Sequence, residues 1–295
     1  RVLFRSIELV LGDVGNADRV TAVLREYRPE IVIHAAAYGN LALLENHAVE
    51  AVENNVLATA TFAELALGHG VGWFVAISTE KAVDPVSVAG ASRLLAERFL
   101  RALGEGAETR LVVVRLGEIV DPASGIVATL LREMRARRTV DAGSAEMLRH
   151  YLSLREAADC VLLAGALADR GATFVVDAGP SMPVAAIVDA LATIHRIPLD
   201  ELKIRHGRIP DGEKPCDVAM SADERRQPVE GTVLVRVDRR GASLASLRES
   251  LEELRALVRE GRRERVAARL RAIAAREASG GASAGRDGDV TGDVA

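Results

Sequence analysis

Three short stretches constrain the fold more than anything else in the chain: EIVIHAA at 30–36, GWFVAIS at 72–78 and RLVVVRLG at 110–117. Each is a near-continuous run of Val, Ile, Leu and Ala without polar alternation, the pattern of strands buried on both faces in a parallel sheet covered by helices. Amphipathic helical patterns separate them: ADRVTAVLREY at 17–27, a long one from His47 to Gly70, and SRLLAERFLRALG at 92–104. IELVL at 7–11 reads as a further strand. The alternation predicts an α/β, Rossmann-type doubly wound parallel sheet.

Beyond about Asp141 the rhythm loosens into a smaller α/β region with helix SLREAADCVLLAGALA, strand TFVVDAG and helix PVAAIVDALATIHRI. A charged helical extension follows at 241–278, and the Gly/Ala/Ser/Asp-rich tail 279–295 is expected to be disordered. No internal repeat is evident. No G-x-G-x-x-G opens the chain, so the strand and phosphate-gripping turn that begin a Rossmann domain are absent from this sequence. In the strand order 3-2-1-4-5-6, strands 1 and 2 lie between strand 3 and strand 4, so this chain is expected to expose a raw sheet edge. The first six residues, RVLFRS, are what a common sequencing-library adapter encodes in frame, and native sequence is expected to begin near Ile7.

Composition narrows the partners. With 3% aromatics, a net charge of -4 and both signs interspersed, the chain offers neither a basic stripe nor rings for stacking bases, which argues against nucleic acid. No run of eighteen apolar residues and no leader pattern occurs, so the chain itself reads as cytoplasmic with no membrane segment, while membrane helices upstream in a longer protein stay open. Cys160 and Cys216 match no metal-ligand spacing and read as reduced thiols with packing roles; no metal is expected. Of 38 basic residues only Lys81, Lys203 and Lys214 are lysine. Where arginine is the default, a lysine marks a place for a compact, titratable ammonium.

Several motifs share one resemblance. LGDV (Leu11–Val14), PEIVIHAAA (Pro29–Ala37), ENNVLATATFAE, STEKAVDPVSVAGASRLLAE (Ser78–Glu97), RLGEIVDPASGIVATLL and DGEKP occur in this order. From about Leu11 to Val237 the chain resembles the polysaccharide-biosynthesis (CapD-like) branch of the extended short-chain dehydrogenases/reductases, the nucleotide-sugar 4,6-dehydratases acting on UDP-N-acetylglucosamine. That resemblance implies a partial NAD(P)-binding domain over 7–140, a substrate-binding region over 141–240, NAD or NADP as cofactor, a UDP-N-acetylhexosamine as partner, and a homo-oligomer formed through the two helices that flank the catalytic segment.

It also implies roles for particular residues. Thr79, Glu80 and Lys81 match the family's Thr-Asp-Lys, the acid and base that eliminate water across C5 and C6 once the C4 hydroxyl is oxidised, with Lys81 read as the base. Asp13 and Val14 correspond to the adenine contact. Ala35, Ala36 and Ala37 let the backbone approach the cofactor, and Asn55, Thr59, Ser78 and Arg93 fall at further cofactor positions. Glu118, Arg149, Arg208 and Glu213 fall at substrate positions, and Arg149 in MLRHY, which resembles M-T-R-Y, is suited to a bidentate phosphate contact.

The departures are as informative. The Tyr-x-x-x-Lys pair of short-chain dehydrogenases reads Ala89-x-x-x-Arg93, Glu80 is one methylene longer than Asp, Tyr38-Gly39-Asn40 replaces His-Lys-His, and Glu118 replaces an Asn, placing a negative charge where a diphosphate is expected. Arg93 keeps donors but cannot lose a proton at physiological pH. Tyr38 reads as a loop ring packed for burial, and His34 as a core histidine. Two functions stay open: a dehydratase or epimerase of this branch, or a degenerate relative that binds a nucleotide sugar or a protein without turnover.

Overall fold

The computed structural model describes residues 7–123, 125–136, 139–144, 146–239 and 241–279. The adapter-like residues 1–6, and all of the tail expected to be disordered except Ser279, lie outside these.

The first half contains α1 (Ala17–Tyr27), β1 (Ile31–His34), α2 (Leu41–Glu45), α3 (Ala48–Ala51), α4 (Thr59–Gly68), β2 (Trp73–Thr79), α5 (Val88–Gly104) and β3 (Arg110–Leu116). Then come β4 (Glu118–Val120), α6 (Gly125–Arg135), β5 (Thr139–Asp141), β6 (Leu148–Arg149), β7 (Tyr151–Ser153), α7 (Leu154–Leu167) and β8 (Ala172–Val176). The chain continues with β9 (Met182–Pro183), α8 (Val184–His195), β10 (Lys203–Arg205), β11 (Arg225–Pro228), β12 (Leu234–Asp238), α9 (Leu244–Arg259) and α10 (Arg263–Ala278).

The main sheet runs β1-β2-β3-β8-β12-β11, its first four strands parallel and its last two antiparallel. Its apolar runs are buried on both sides. Phe74, Ala76, Leu111 and Val113 share a core with α5 and the helix over 48–68, whereas Val75, Val112 and Val114 pack with Ala157, Cys160 and Val161 of α7. That two-sided burial is what the unbroken Val/Ile pattern demanded. β8, β11 and β12 come from beyond residue 140, so the sheet is not confined to 7–140.

The amino-terminal stretch departs from the sequence expectation. Residues 7–11 form no strand, and Leu9 and Leu11 are almost fully exposed. A strand exists only as part of a ladder, and β1 pairs with β2 alone among the described residues. With no strands between them, IELVL has nothing to join. The sheet therefore ends at β1, where Ile31 and Ile33 are exposed while Val32 and His34 are buried.

Local signals fix the helices that matter for the site. Ser87 caps α5, its hydroxyl accepting from the Gly90 amide at 2.9 Å, so this helix starts at Val88, four residues before the predicted start. Ala48–Gly68 is one continuous helix whose middle, Val52–Ala58, is π-helical. The charged extension is a hairpin, α9 and α10, turning at Gly261. Leu247, Leu251, Leu254, Val266, Leu270 and Ile273 join the core of α5 and 48–68. The outer face of the two helices through which a dimer was expected is thus covered by the chain's own hairpin. Cys160 is buried as expected, but Cys216 is exposed and does not pack.

Candidate active site

The carboxyl ends of β2 and β3 open onto a cavity of about 400 Å³, within the size range of small-molecule sites. Thr79, Lys81, Ala89, Arg93, Glu118, Arg149, Tyr151 and Glu213 are among its walls.

The turn that carries Lys81 is held from both sides. Thr79 Oγ1 accepts from the Lys81 amide at 3.3 Å, and Lys214 Nζ donates to the carbonyls of Glu80 at 3.1 Å and Val83 at 2.7 Å. The amino end of α5 packs so closely that a Cβ on Gly90 would lie 2.4 Å from the Lys81 carbonyl. On the opposite wall a Cβ on Gly117 would lie 2.5 Å from the His150 carbonyl, which accepts from the Glu118 amide at 2.8 Å. Both glycines are required by close backbone approach.

The Lys81 ammonium contacts Glu118 and lies 3.1 Å from Asp217 Oδ2. Burial pulls its pKa down, but the Glu118 and Asp217 carboxylates outweigh this and hold it above the ordinary lysine range. These contacts favour the charged form of Lys81, whereas the role of base read from the sequence needs the neutral amine. Glu118, in turn, faces a cation, so its charge does not stand unopposed against an anionic ligand. Arg149 is also committed: it donates to Glu213 at 2.8 Å and to the carbonyls of Leu148, Pro215 and Lys214, and its Nε lies 3.1 Å from Asp217. Its fork is engaged within the protein rather than open to a phosphate.

Glu80 does not line the cavity. It is buried, and its Oε2 lies 2.9 Å from His150 Nδ1. Burial pushes its carboxyl above the ordinary value, partly opposed by the bond to His150. Tyr151, on the cavity wall, has a hydroxyl buried without a hydrogen-bond partner, and burial raises it to about 12.

The expected cofactor residues fall into two groups. Asp13 lines a second pocket of about 400 Å³ with Asn54, Leu57, Ala58, Thr61 and Arg255, and Tyr38 borders both pockets. Val14 sits in an adjoining apolar depression. Ala35 and Ala36 are exposed and Ala37 half-buried at the end of β1, and Arg93 lines the first cavity while donating to the Ile77 carbonyl at 3.1 Å. Asn55, Thr59 and Ser78 turn inward instead. Asn55 holds the Tyr38 backbone through both its N–H, at 2.8 Å, and its carbonyl, at 3.0 Å; Thr59 bonds His34 at 2.8 Å; and Ser78 donates to Glu97 at 2.5 Å. Their hydrogen-bonding groups are thus taken up by the scaffold. His34 is buried among Phe62 and Phe74, and burial, then Arg93, lowers it to about 4. Tyr38, expected to pack its ring, is 54% exposed. Arg208 is exposed and is not on the cavity wall.

Sequence reasoning missed His150, Tyr151 and Asp217 as site residues. The first two lie inside MLRHY, directly after Arg149. Lys214 carried a signal in the scarcity of lysine; Asp217 carried none. Among the described residues, no cluster of His, Cys, Asp and Glu is placed to hold a metal, and no helix is long and apolar enough to cross a membrane.

A family model described as "Polysaccharide biosynthesis protein" matches residues 2–238. The chain belongs to this polysaccharide biosynthesis family. Within it, the Staphylococcus aureus capsular polysaccharide biosynthesis protein CapD is 33% identical over 216 residues, covering 73% of this chain and 36% of CapD. The chain thus spans about a third of that relative's length. The Bacillus subtilis probable polysaccharide biosynthesis protein EpsC is 30% identical and covered to the same extent. Among solved structures, Pen from Bacillus thuringiensis superposes with a TM-score of 0.70 at 22% identity, covering 80% of this chain and 74% of Pen. These matches place the chain in the CapD-like branch of the extended short-chain dehydrogenases/reductases, with the Rossmann-type fold of nucleotide-sugar dehydratases and epimerases.

Proposed function

We propose that this family member carries the catalytic part of a nucleotide-sugar 4,6-dehydratase or epimerase acting on a UDP-N-acetylhexosamine, by transient NAD- or NADP-dependent oxidation at C4 and water elimination across C5 and C6. The observation that carries the reading is the convergence of Thr79, Lys81, Arg93 and Glu118 on one cavity at the sheet's carboxyl end, where doubly wound folds place their chemistry. A solved structure of the same fold, MoeE5, is in complex with UDP-glucose and NAD, which supports both ligand classes.

The chain's residues fit the two ends of the cofactor. The alanines after β1 leave the backbone open, and Asn54 Oδ1 is buried without a protein partner beside Asp13 in the second pocket. Asp13, Asn54 and Arg93 would hold the adenosine and nicotinamide-ribose ends. When bound, NAD(P) would supply the oxidation at C4 and the hydride that returns to C6.

The proton steps belong to the chain. Abstraction of H5 needs an unprotonated base within reach of the sugar. Lys81 is charged, so the role passes to Glu118, which lines the cavity with Lys81 fixing its carboxylate in place. Lys81 then stabilises the oxygen at C4 as it gains charge. Glu80, whose burial favours the protonated form, is the acid for the departing C6 hydroxyl, a role that requires its carboxyl to turn from His150 toward the cavity.

A second reading, binding without turnover, is favoured by Ala89, which puts a methyl group where the family's phenol stands, and by the internal commitment of Arg149. The test is to titrate the chain calorimetrically with UDP-N-acetylglucosamine and with NAD and NADP, then to follow 4-keto-6-deoxy product and C5 deuterium in deuterated water. Product with deuterium, lost in Glu118→Gln, supports the dehydratase. Binding without product supports the second reading, and no binding of either ligand sinks both.

A further inference from the structure

A departure from the resembled motifs meets an unassigned histidine in space. Glu80 stands where the resemblance has Asp, and His150 follows Arg149 in MLRHY. The extra methylene of Glu80 and the imidazole of His150 bring Oε2 and Nδ1 to 2.9 Å. The His150 backbone is held in place, because the Glu118 amide bonds its carbonyl at 2.8 Å and β4 pairs with β7 directly after it.

The two partners differ in access. The Glu80 side chain is 4% exposed and that of His150 is 20% exposed. The other charged groups facing Glu80 are Lys81 and Asp217, while Lys214 bonds its backbone carbonyl. Lys81 and Asp217 are engaged with each other at 3.1 Å, so neither offers a route for a proton.

We propose that His150 is a positioning residue that reloads Glu80 with a proton from solvent. This rests on the acid role assigned to Glu80 above. Each turnover of the proposed reaction releases the C4 hydroxyl proton to water in the open cavity and consumes one at the departing C6 hydroxyl, so the acid must be recharged from solvent. His150 gains a proton from water at Nε2 and releases the Nδ1 proton to the Glu80 carboxylate. The ring ends as the other neutral tautomer, and one proton has entered for each one passed on.

The experiment uses the full chain without ligand. Side-chain ¹³C carboxyl shifts of the glutamates are followed against pH in wild type and His150→Phe, with Glu80→Gln providing the assignment. The bond to His150 opposes the burial that raises the Glu80 carboxyl, so His150→Phe should move the Glu80 midpoint upward. An unmoved midpoint overturns the proposal. With turnover in hand, His150→Gln keeps a donor toward Glu80 but cannot relay. It should lower kcat as much as His150→Phe with KM unchanged, and full activity in the Gln variant overturns the relay. A moved midpoint in a chain that binds no sugar nucleotide overturns the function proposed above while leaving the proton link in place.

Discussion

Arg115→Met is the substitution whose outcome the structure constrains most tightly. Arg115 is 1% exposed and donates to Glu97 at 3.0 and 2.8 Å and to Glu224 at 2.8 Å twice, while Ser78, one residue before Thr79, donates to Glu97. Removing one partner of a buried ion pair costs about 3–5 kcal/mol, because the other charge stays buried. Here two carboxylates would remain, but Arg98 lies 3.8 Å from Glu224 and offsets part of the charge, so the lower figure applies. With a urea slope of about 3 kcal/mol per M for a chain of this size, the midpoint should fall by about 1 M. The sole tryptophan, Trp73, begins β2 beneath the Arg110 guanidinium and reports sheet unfolding by fluorescence. The pH dependence gives the sharper test. Burial raises Glu224, yet its bonds to Arg115 hold it below the ordinary carboxylate value. A group depressed in the folded state stabilises above its unfolded value, about 4.3, and that contribution is lost as pH falls through the folded value. Without Arg115 the carboxylates are raised instead, so the variant should gain stability between pH 7 and 5 while wild type does not. A loss below about 1 kcal/mol, or parallel pH profiles, would refute the role of the triad.

Three further outcomes follow from the site. Asn55→Ala removes the two bonds that hold Tyr38 and should cost about 1–3 kcal/mol by urea melting, with faster amide exchange confined to residues 35–40. Lys81→Met should destabilise at neutral pH and converge with wild type only in alkali, since a lysine raised by its partners contributes fully below about pH 10.4 and loses that contribution as pH rises through its folded value; a difference that closes below pH 9 contradicts the pairing. Glu118→Gln removes a negative charge and frees Lys81, so UDP-N-acetylglucosamine should bind about tenfold more tightly by calorimetry, a gain of about 1.4 kcal/mol, while C5 deuterium exchange is lost.

The sheet and most helices were legible because their signals are local and redundant. β2 and β3 are buried on both faces, so every residue carries the same message, and the α5 boundary was recoverable from Ser87. IELVL failed for the opposite reason: its apolar pattern is that of a strand, but a strand also needs neighbours, and none of the described segments supplies one. The site was legible only in part. Thr79, Lys81 and Arg93 reach the cavity because the end of a parallel strand fixes where they point, whereas the fates of Asn55, Thr59 and Ser78 depend on which atoms from distant segments face them. Asp217 is the extreme case, since it enters the site only because the 213–217 loop folds back over a turn some 130 residues earlier in the chain.

The same geometry changes the weight of the motif departures. Taken along the sequence, Glu118 and Glu80 count as separate losses, each moving the chain away from a working dehydratase. In space they pair: Glu118 with Lys81, and Glu80 with His150. Random drift of a site without function leaves buried charges uncompensated, each at a penalty of several kcal/mol, and selection for stability alone replaces them with apolar residues. A site that instead keeps Lys81, Arg149, Glu213, Lys214 and Asp217 in one connected set of contacts has had its charges rebalanced while remaining polar. Ala89 is the departure with no such counterpart, although Tyr151 brings an unpartnered phenol to the same cavity wall. Rebalancing around a retained cation is the pattern of a pocket whose ligand or proton chemistry has shifted, and it makes the Glu118 and His150 variants the experiments that separate altered turnover from binding alone.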